Sequence, residues 1–274
     1  MKVYVVSLRR DTERRRYIEG HLKSRGLEYE IVDAIDYQEM TSDDFAASTD
    51  EAAVLSNPFF TKGVQACALS HAKIYSLIAA SSDKAALLIE DDIVLAPNIK
   101  SLLAIIEKEI ATEEIISLSY YSHGQNPIKF SLLDPRIITE QSTLFYPTNL
   151  DDIAAAMAYV MTPAVATKML AATLPVRVPA DAWGSHYRNG AFTSFRCLYP
   201  KPVEPAIFPS TLDYAATIQS PARQQLTLLV NKVSAIVRRK RIPFLLQYLD
   251  KRNKKRMDNK SAIRFVTTSP FNTF

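Results

Sequence analysis

The stretch LLIEDDIVL, residues 87–95, places three consecutive carboxylates, Glu90, Asp91 and Asp92, between two short apolar runs. Apolar runs of this length read as buried strands. Residues 85–89 are therefore expected to form a central strand, and the acids stand where the chain leaves the core. Buried unpaired carboxylates are too costly to keep, so these must meet donors, water or a cation.

The segments around this strand set the expected fold. Residues 3–8 and 29–34 read as β-rich apolar strands, and a helix capped by Asp11 or Thr12 and ended by Gly26 lies between them. Residues 37–60 are polar and irregular, expected as a loop with a short helix, and the segment 41–60 could close over a site as a lid. Residues 63–80 are alanine-rich and apolar on most faces, hence a buried helix. Pro97 suits the first turn of a helix running to residue 111. Residues 115–119, 156–162 and 192–198 read as further strands, and 163–173 as a helix. Strands alternating with helices predict an α/β fold, a Rossmann-like and mostly parallel sheet with helices on both faces.

A chain of 274 residues can form one large α/β domain, or one domain with an appendage. Six glycines are too few for a many-turned all-β architecture. Cys67 and Cys197 have no CxxC context; they suggest neither a zinc motif nor a disulfide framework, and so a reducing compartment. With no secretion signal and no run of about 18 apolar residues, the expected location is cytoplasmic.

Net charge is +4, but residues 238–256 hold nine Lys/Arg against one Asp; taking that +8 from +4 leaves −4 on the other 255 residues. Before this cluster, Leu226, Leu229, Val230, Val233 and Val237 fall on one helical face, and residues 244–249 resume after Pro243. Basic amphipathic segments attract anionic lipid head groups, each Lys or Arg contributing about 1 kcal/mol near the surface. Residues 223–256 are thus expected to hold the protein at the inner face of the cytoplasmic membrane. The bland alternative is a solvated tail, and the competing one a tail that tracks nucleic-acid phosphates. The acidic body argues against the latter, so no nucleic acid is expected.

Ligands of open α/β sheets bind beyond the carboxyl ends of the strands, where the three acids fall. In an extended segment alternate side chains share a side, so Glu90 and Asp92 can project together with Asp91 turned elsewhere. Two hard oxygen ligands with open positions suit Mg²⁺ or Mn²⁺ carrying phosphate oxygens. A solvated acidic turn is the alternative. A metal-dependent phosphohydrolase would want a DxDxT pattern, and Asp92 is followed by Ile93 and Val94. Arg9, Arg10 and Arg14 follow the first strand, where they could neutralise phosphate beside a helix N-terminus, whereas Arg15 and Arg16 suit an exposed helix face. His71 in its apolar helix reads as a hydrogen-bonded structural histidine. Asp181 could be a helix cap or a catalytic base.

The blocks VVSLRRDTERR (5–15), VDAID (32–36), GVQACALSH (63–71), ALLIEDDIV (86–94), AYVMT (158–162) and VRVPAD (176–181) occur in an order that resembles glycosyltransferase family 25. These are lipopolysaccharide-type sugar transferases, with collagen galactosyltransferases as relatives. The resemblance spans residues 1–220 and implies a GT-A-type catalytic domain there, followed by a basic helical tail at 221–274. It implies a UDP-sugar donor, commonly UDP-galactose, a divalent cation (Mn²⁺ or Mg²⁺), and inverting transfer to a lipid-linked oligosaccharide acceptor of lipopolysaccharide or lipo-oligosaccharide. By position, Glu90 and Asp92 would hold the metal and Asp181 would be the base. Ser7, Leu8, Arg10, Arg14, Asp33 and Asp91 would surround the donor nucleotide, with Ser70 and His71 beneath it. The chain departs from the pattern at Ser7 (commonly Asn), Tyr37 and Ala66 (commonly Gly) and Ala182, where a second acid is frequent.

Overall fold

The computed structural model describes residues 1–57, 60–123, 127–208 and 262–270. The helical stretches expected at 223–237 and 244–249, and the basic residues 238–256, lie outside them. Strand β1 (Lys2–Ser7) feeds helix α1 (Thr12–Ser24), which Asp11 caps by accepting from Arg14 N. Gly26, at φ +63°, turns the chain out of α1 in a conformation glycine adopts without a Cβ clash. Strand β2 (Tyr29–Asp33) then pairs parallel to β1. Two short helices, α2 (Ser42–Ser48) and α3 (Glu51–Ser56), precede the buried helix α4 (Lys62–Ala79). Strand β3 (Ala86–Glu90) follows and pairs parallel to β1 on its other side.

The chain continues through β4 (Ile93–Leu95), α5 (Ile99–Glu109) and β5 (Glu114–Ser117). Asn98 is the N-cap of α5, so Pro97 precedes the cap and does not occupy the first turn. Short strands β6 (Tyr121–Ser122), β7 (Ile128–Ser131), β8 (Arg136–Thr139), β9 (Ser142–Phe145) and β10 (Ile153–Ala154) come next. Then come β11 (Ala158–Met161), α6 (Pro163–Thr173), α7 (Trp183–Arg188), β12 (Ser194–Tyr199) and β13 (Val203–Pro205). Near the C-terminus, β14 (Ile263–Val266) pairs parallel with β7, and Phe265 packs among Phe130, Phe145 and Tyr199. This part of segment 221–274 therefore rests on the α/β body. No helix among the described residues is long and apolar enough to cross a membrane.

The main sheet has eight strands in the order β2-β1-β3-β11-β5-β12-β9-β8. It is mixed, which corrects the mostly parallel sheet expected from the sequence. β11 enters between β3 and β5 antiparallel to both, and β9 is antiparallel to β12 and β8. The cause is the connection: a parallel return needs a long crossover, usually a helix, and the described residues of 118–157 supply short strands and one 3-10 turn at Leu150–Asp152.

Helices do cover both faces, because β1 alternates. Val3 and Val5 pack with Ile18 and Leu22 of α1 and Leu102 and Ile106 of α5. Tyr4 and Val6 face α4 and α6, through residues such as Ile74, Tyr75, Val165 and Met169. Wedged between sheet and α6, α4 is apolar on most sides.

Fully buried Glu114 is held by Arg196 of the neighbouring strand, with Nη2 2.7 Å from Oε2, and by Ser194 Oγ at 2.8 Å from Oε1. Arg196→Met leaves that carboxylate uncompensated and is expected to cost about 3–5 kcal/mol. Urea unfolding at neutral pH measures it. The double variant Glu114→Leu/Arg196→Met, which removes both charges, should lose far less.

Candidate active site

The carboxyl ends of β1 and β3 lie side by side, with Val6 in register with Glu90. β3 stops at Glu90, the chain bends through Asp91 and Asp92, and β4 leaves to pair with β13. Ala206 N donates to Asp92 O across that departure, at 2.6 Å. The bend means that the alternation of a straight strand does not govern the three acids. Glu90 and Asp91 line a cavity of about 100 Å³, together with Ser7, Leu8, Arg14 and His71.

Arg14 organises the rim. It is buried, and its Nη1 lies 2.9 Å from Asp91 Oδ1 and its Nη2 3.2 Å from Asp92 Oδ2. Ser7 Oγ donates to Asp91 Oδ2 at 2.5 Å, so Asp91 has a partner on each oxygen. Asp92 Oδ1 is buried and has no hydrogen-bond partner among the described residues. Burial, then Asp92, Asp91 and Asp181, push the carboxyl of Glu90 up to about 8, against the opposing pull of Arg14. Glu90 keeps 31% of its side-chain surface exposed, but it lines a narrow cavity and not open solvent, which is why desolvation dominates.

One face of α4 forms the opposite wall. Gly63, Ala66, Cys67, Ser70 and His71 recur at helical spacing, and the first two are small enough to leave space. Ser70 serves as a structural pin: its Oγ donates to Ala66 O and accepts from Ile35 N at 2.8 Å. His71 is 1% exposed, with Nδ1 2.8 Å from the Tyr159 hydroxyl, which lies 2.9 Å from that of Tyr75. Its other nitrogen, Nε2, has no hydrogen-bond partner among the described residues and sits 4.0 Å from Glu90 Oε1. Burial lowers the imidazole to about 4, so it is neutral at pH 7. The hydrogen-bonded histidine expected in this helix is found, with one ring nitrogen bonded.

Arg10 and Asp33 do not line this cavity. Arg10 pairs with Asp36 at 2.8 Å, and Asp33 accepts from Arg9 at 2.7 Å and Arg15 at 2.5 Å. Arg15, expected on an exposed face, instead reaches back to the carbonyls of Ser7 and Leu8 and ties α1 to the end of β1. Arg16 is exposed. Asp11 and Tyr37 line the cavity and escaped the sequence reading; the position of Tyr37, just after the VDAID block, was the available signal.

Asp181 is not a helix cap. The N-cap of α7 is Ala182, and Asp181 Oδ2 accepts instead from Ala155 N at 3.0 Å. Ala155 has φ +83°, a left-handed conformation unfavourable for a residue with a Cβ. It is fixed from both sides, since Trp183 Nε1 donates to its carbonyl at 3.2 Å. Asp181 lines a second, larger cavity of about 410 Å³ with His123, Asp151 and Ser185. Its charge also adds to the field felt by Glu90 and Cys67 in the first cavity. Gly184 permits a close approach here, because a Cβ on it would meet Asp151 Oδ1 at 2.0 Å. The expected lid at residues 41–60 is strapped down at its middle: Thr49 bridges Val176, Asp50 N donates to Val176 O, and Arg177 pairs with Asp50 at 3.0 Å.

The raised carboxyl of Glu90 has a signed consequence for stability. The folded state binds the Glu90 proton more tightly than the unfolded chain, so this contribution is full below the ordinary value of 4.5 and is lost as pH rises towards about 8. With chelator present, Glu90→Gln is expected to melt above the wild type at pH 8, and the difference should close by pH 5. Thermal unfolding across that range reads it.

The chain is similar to known glycosyltransferases. The model of glycosyltransferase family 25 (LPS biosynthesis protein) matches residues 1–183. A relative from Acanthamoeba polyphaga mimivirus, which carries the provisional name glycosyltransferase R655, is 32% identical over 120 residues. That match covers 43% of this chain and only 36% of the viral protein. The matched residues 1–183 contain the first strand, the small-residue face of α4, the acidic rim and Asp181, and the chain belongs to glycosyltransferase family 25.

Proposed function

We propose that the protein transfers galactose from UDP-galactose, with inversion at the anomeric carbon, to a lipid-linked saccharide acceptor of lipopolysaccharide or lipo-oligosaccharide. The family description supports the reaction class and the acceptor. The observation that carries the reading is the presence of two cavities, one bordered by the acidic rim and the other by Asp181, whose charge acts on Glu90. The smaller is too small for a whole nucleotide sugar, so the donor would extend over its rim.

The residues fit a divalent cation. Asp92 Oδ1 is a buried oxygen without a partner among the described residues, and the Asp92 charge is the largest charged contribution raising Glu90. A positive ion near both would relieve each, and two carboxylates with open positions suit Mn²⁺ or Mg²⁺. Bound there, such an ion would screen the diphosphate and stabilise it as a leaving group. Arg14 holds Asp91 and Asp92 in place through its guanidinium. Asp181 takes the proton of the acceptor hydroxyl as that oxygen bonds to the anomeric carbon. The bond from that carbon to the diphosphate breaks, and its electron pair leaves with UDP. The Ala155 N–H holds Asp181 Oδ2 in position for this, and Oδ1 makes no hydrogen bond among the described residues.

The basic segment 238–256 supports peripheral attachment to an anionic membrane, where a lipid-linked acceptor resides. Because β14 packs on the body, removing the C-terminus would disturb the fold, and charge substitution is the cleaner test. Exchanging the Lys and Arg of 238–256 for Gln should abolish sedimentation with anionic vesicles; undiminished recovery would refute the attachment.

For the chemistry, Asp181→Asn should lower turnover by about 10²–10⁴-fold while UDP-galactose affinity persists. Near wild-type turnover would show that another group is the base. A thermal-shift screen of nucleotide sugars with and without Mn²⁺ should show stabilisation by UDP-galactose only with the ion, and Asp92→Ala should remove it.

A further inference from the structure

We infer that Cys67, His71 and Glu90 form a binding site for a borderline-soft divalent metal, Zn²⁺, in the wall of the smaller cavity. Sγ of Cys67, a nitrogen of His71 and a carboxylate oxygen of Glu90 lie within 4.8 Å of one another. Cys67 and His71 stand four residues apart on α4 and so share a face, and Glu90 comes to them from the end of β3. The second observation is the buried Nε2 of His71, which has no partner among the described residues and lies 4.0 Å from Glu90. A buried ring nitrogen left unbonded is costly in a folded protein and marks a place for a ligand.

The surroundings set that nitrogen up as a donor. When Nδ1 carries the ring proton it donates to Tyr159, and the Tyr159 hydroxyl can donate in turn to Tyr75. Nε2 then presents its lone pair towards Glu90, the outer-shell arrangement found around metal-bound histidines. Bonds of about 2.3 Å to sulfur and 2.0 Å to nitrogen or oxygen put tetrahedral ligand atoms about 3.5 Å apart, so binding needs a contraction of roughly 1 Å. One position stays open to the cavity. Thiolate and imidazole favour zinc, whereas the oxygen pair Glu90 and Asp92 favours a hard ion. Burial, with the charges of Glu90 and Asp181, keeps the Cys67 thiol protonated without metal. Binding therefore exchanges the thiol proton for the sulfur–metal bond and releases H⁺ to solvent.

Zinc binding does not depend on the proposed transferase reaction, but a consequence of it does. Both ions claim Glu90, so Zn²⁺ should exclude Mn²⁺ and inhibit transfer.

The test uses the full chain, stripped with chelator and titrated with Co²⁺ as a spectroscopic stand-in. The expected result is thiolate-to-cobalt charge-transfer absorption that equimolar Zn²⁺ bleaches. It should persist in Cys197→Ser and vanish in Cys67→Ser, whose fold is checked by melting. Tyr159→Phe should weaken Zn²⁺ binding by about 10–100-fold. A wild-type protein without the thiolate band, or Cys67→Ser with unchanged Zn²⁺ affinity, overturns the inference. Loss of the transferase reading would leave the band intact, so the two failures are distinguishable.

Discussion

Arg14 reaches from the first turn of α1 to Asp91 and Asp92 at once, at 2.9 and 3.2 Å, and this contact lets adjacent carboxylates occupy a sheet rim. Without it, two neighbouring negative charges at low solvent exposure would repel each other with little water to screen them. The contact also fixes the angle at which α1 leaves β1, since the same guanidinium touches Asp11, the residue that caps α1. Arg15 adds the carbonyls of Ser7 and Leu8, so two consecutive arginines staple helix to strand from opposite sides. The cavity walls inherit their positions from that junction.

Arg14 does not satisfy everything. Asp92 Oδ1, His71 Nε2 and the raised carboxyl of Glu90 remain as a cluster of groups whose charge or lone pair lacks a complement. Folded proteins seldom tolerate several such groups together unless function requires them. All three lie around the end of β3, and the cation proposed above would relieve each of them. The cost is borne by a well-filled core on both faces of the sheet, with β3 itself almost fully buried. Ala155 and Asp181 repeat the pattern on a smaller scale, an unfavourable backbone conformation held by two hydrogen bonds so that one carboxylate is fixed.

Much of the body was legible because local rules and tertiary context agree there. β1, β2, α4, β3 and α6 fall within a residue or two of their expected limits, since apolar runs, Asp11 and Thr162 as caps, and Gly26 as a stop act over a few residues. The stretch from β6 to β10 was not legible. Its strands are two to four residues long, too short for periodicity to register. That stretch is also what reverses β11 and makes the sheet mixed. Of the candidate site, Ser7, Leu8, Arg14, His71, Glu90 and Asp91 line one cavity as a group, whereas Arg10 and Asp33 are engaged with other partners. Which of the five arginines in residues 9–16 turns inward depends on helix phase and on the bend after Glu90, and neither is a property of composition.

The sequence by itself determined that a strand rich in buried aliphatics ends in three acids, that helices flank it, and that the basic charge gathers near one end. Tertiary structure alone decided which atoms of those acids are paired, that Asp181 from a distant turn shares their neighbourhood, and that Cys67 and His71 face Glu90. Side-chain type and short-range periodicity are written in the chain, but a site is a set of distances between elements remote in sequence. Those distances arise only when strand order, bends and helix packing are settled together.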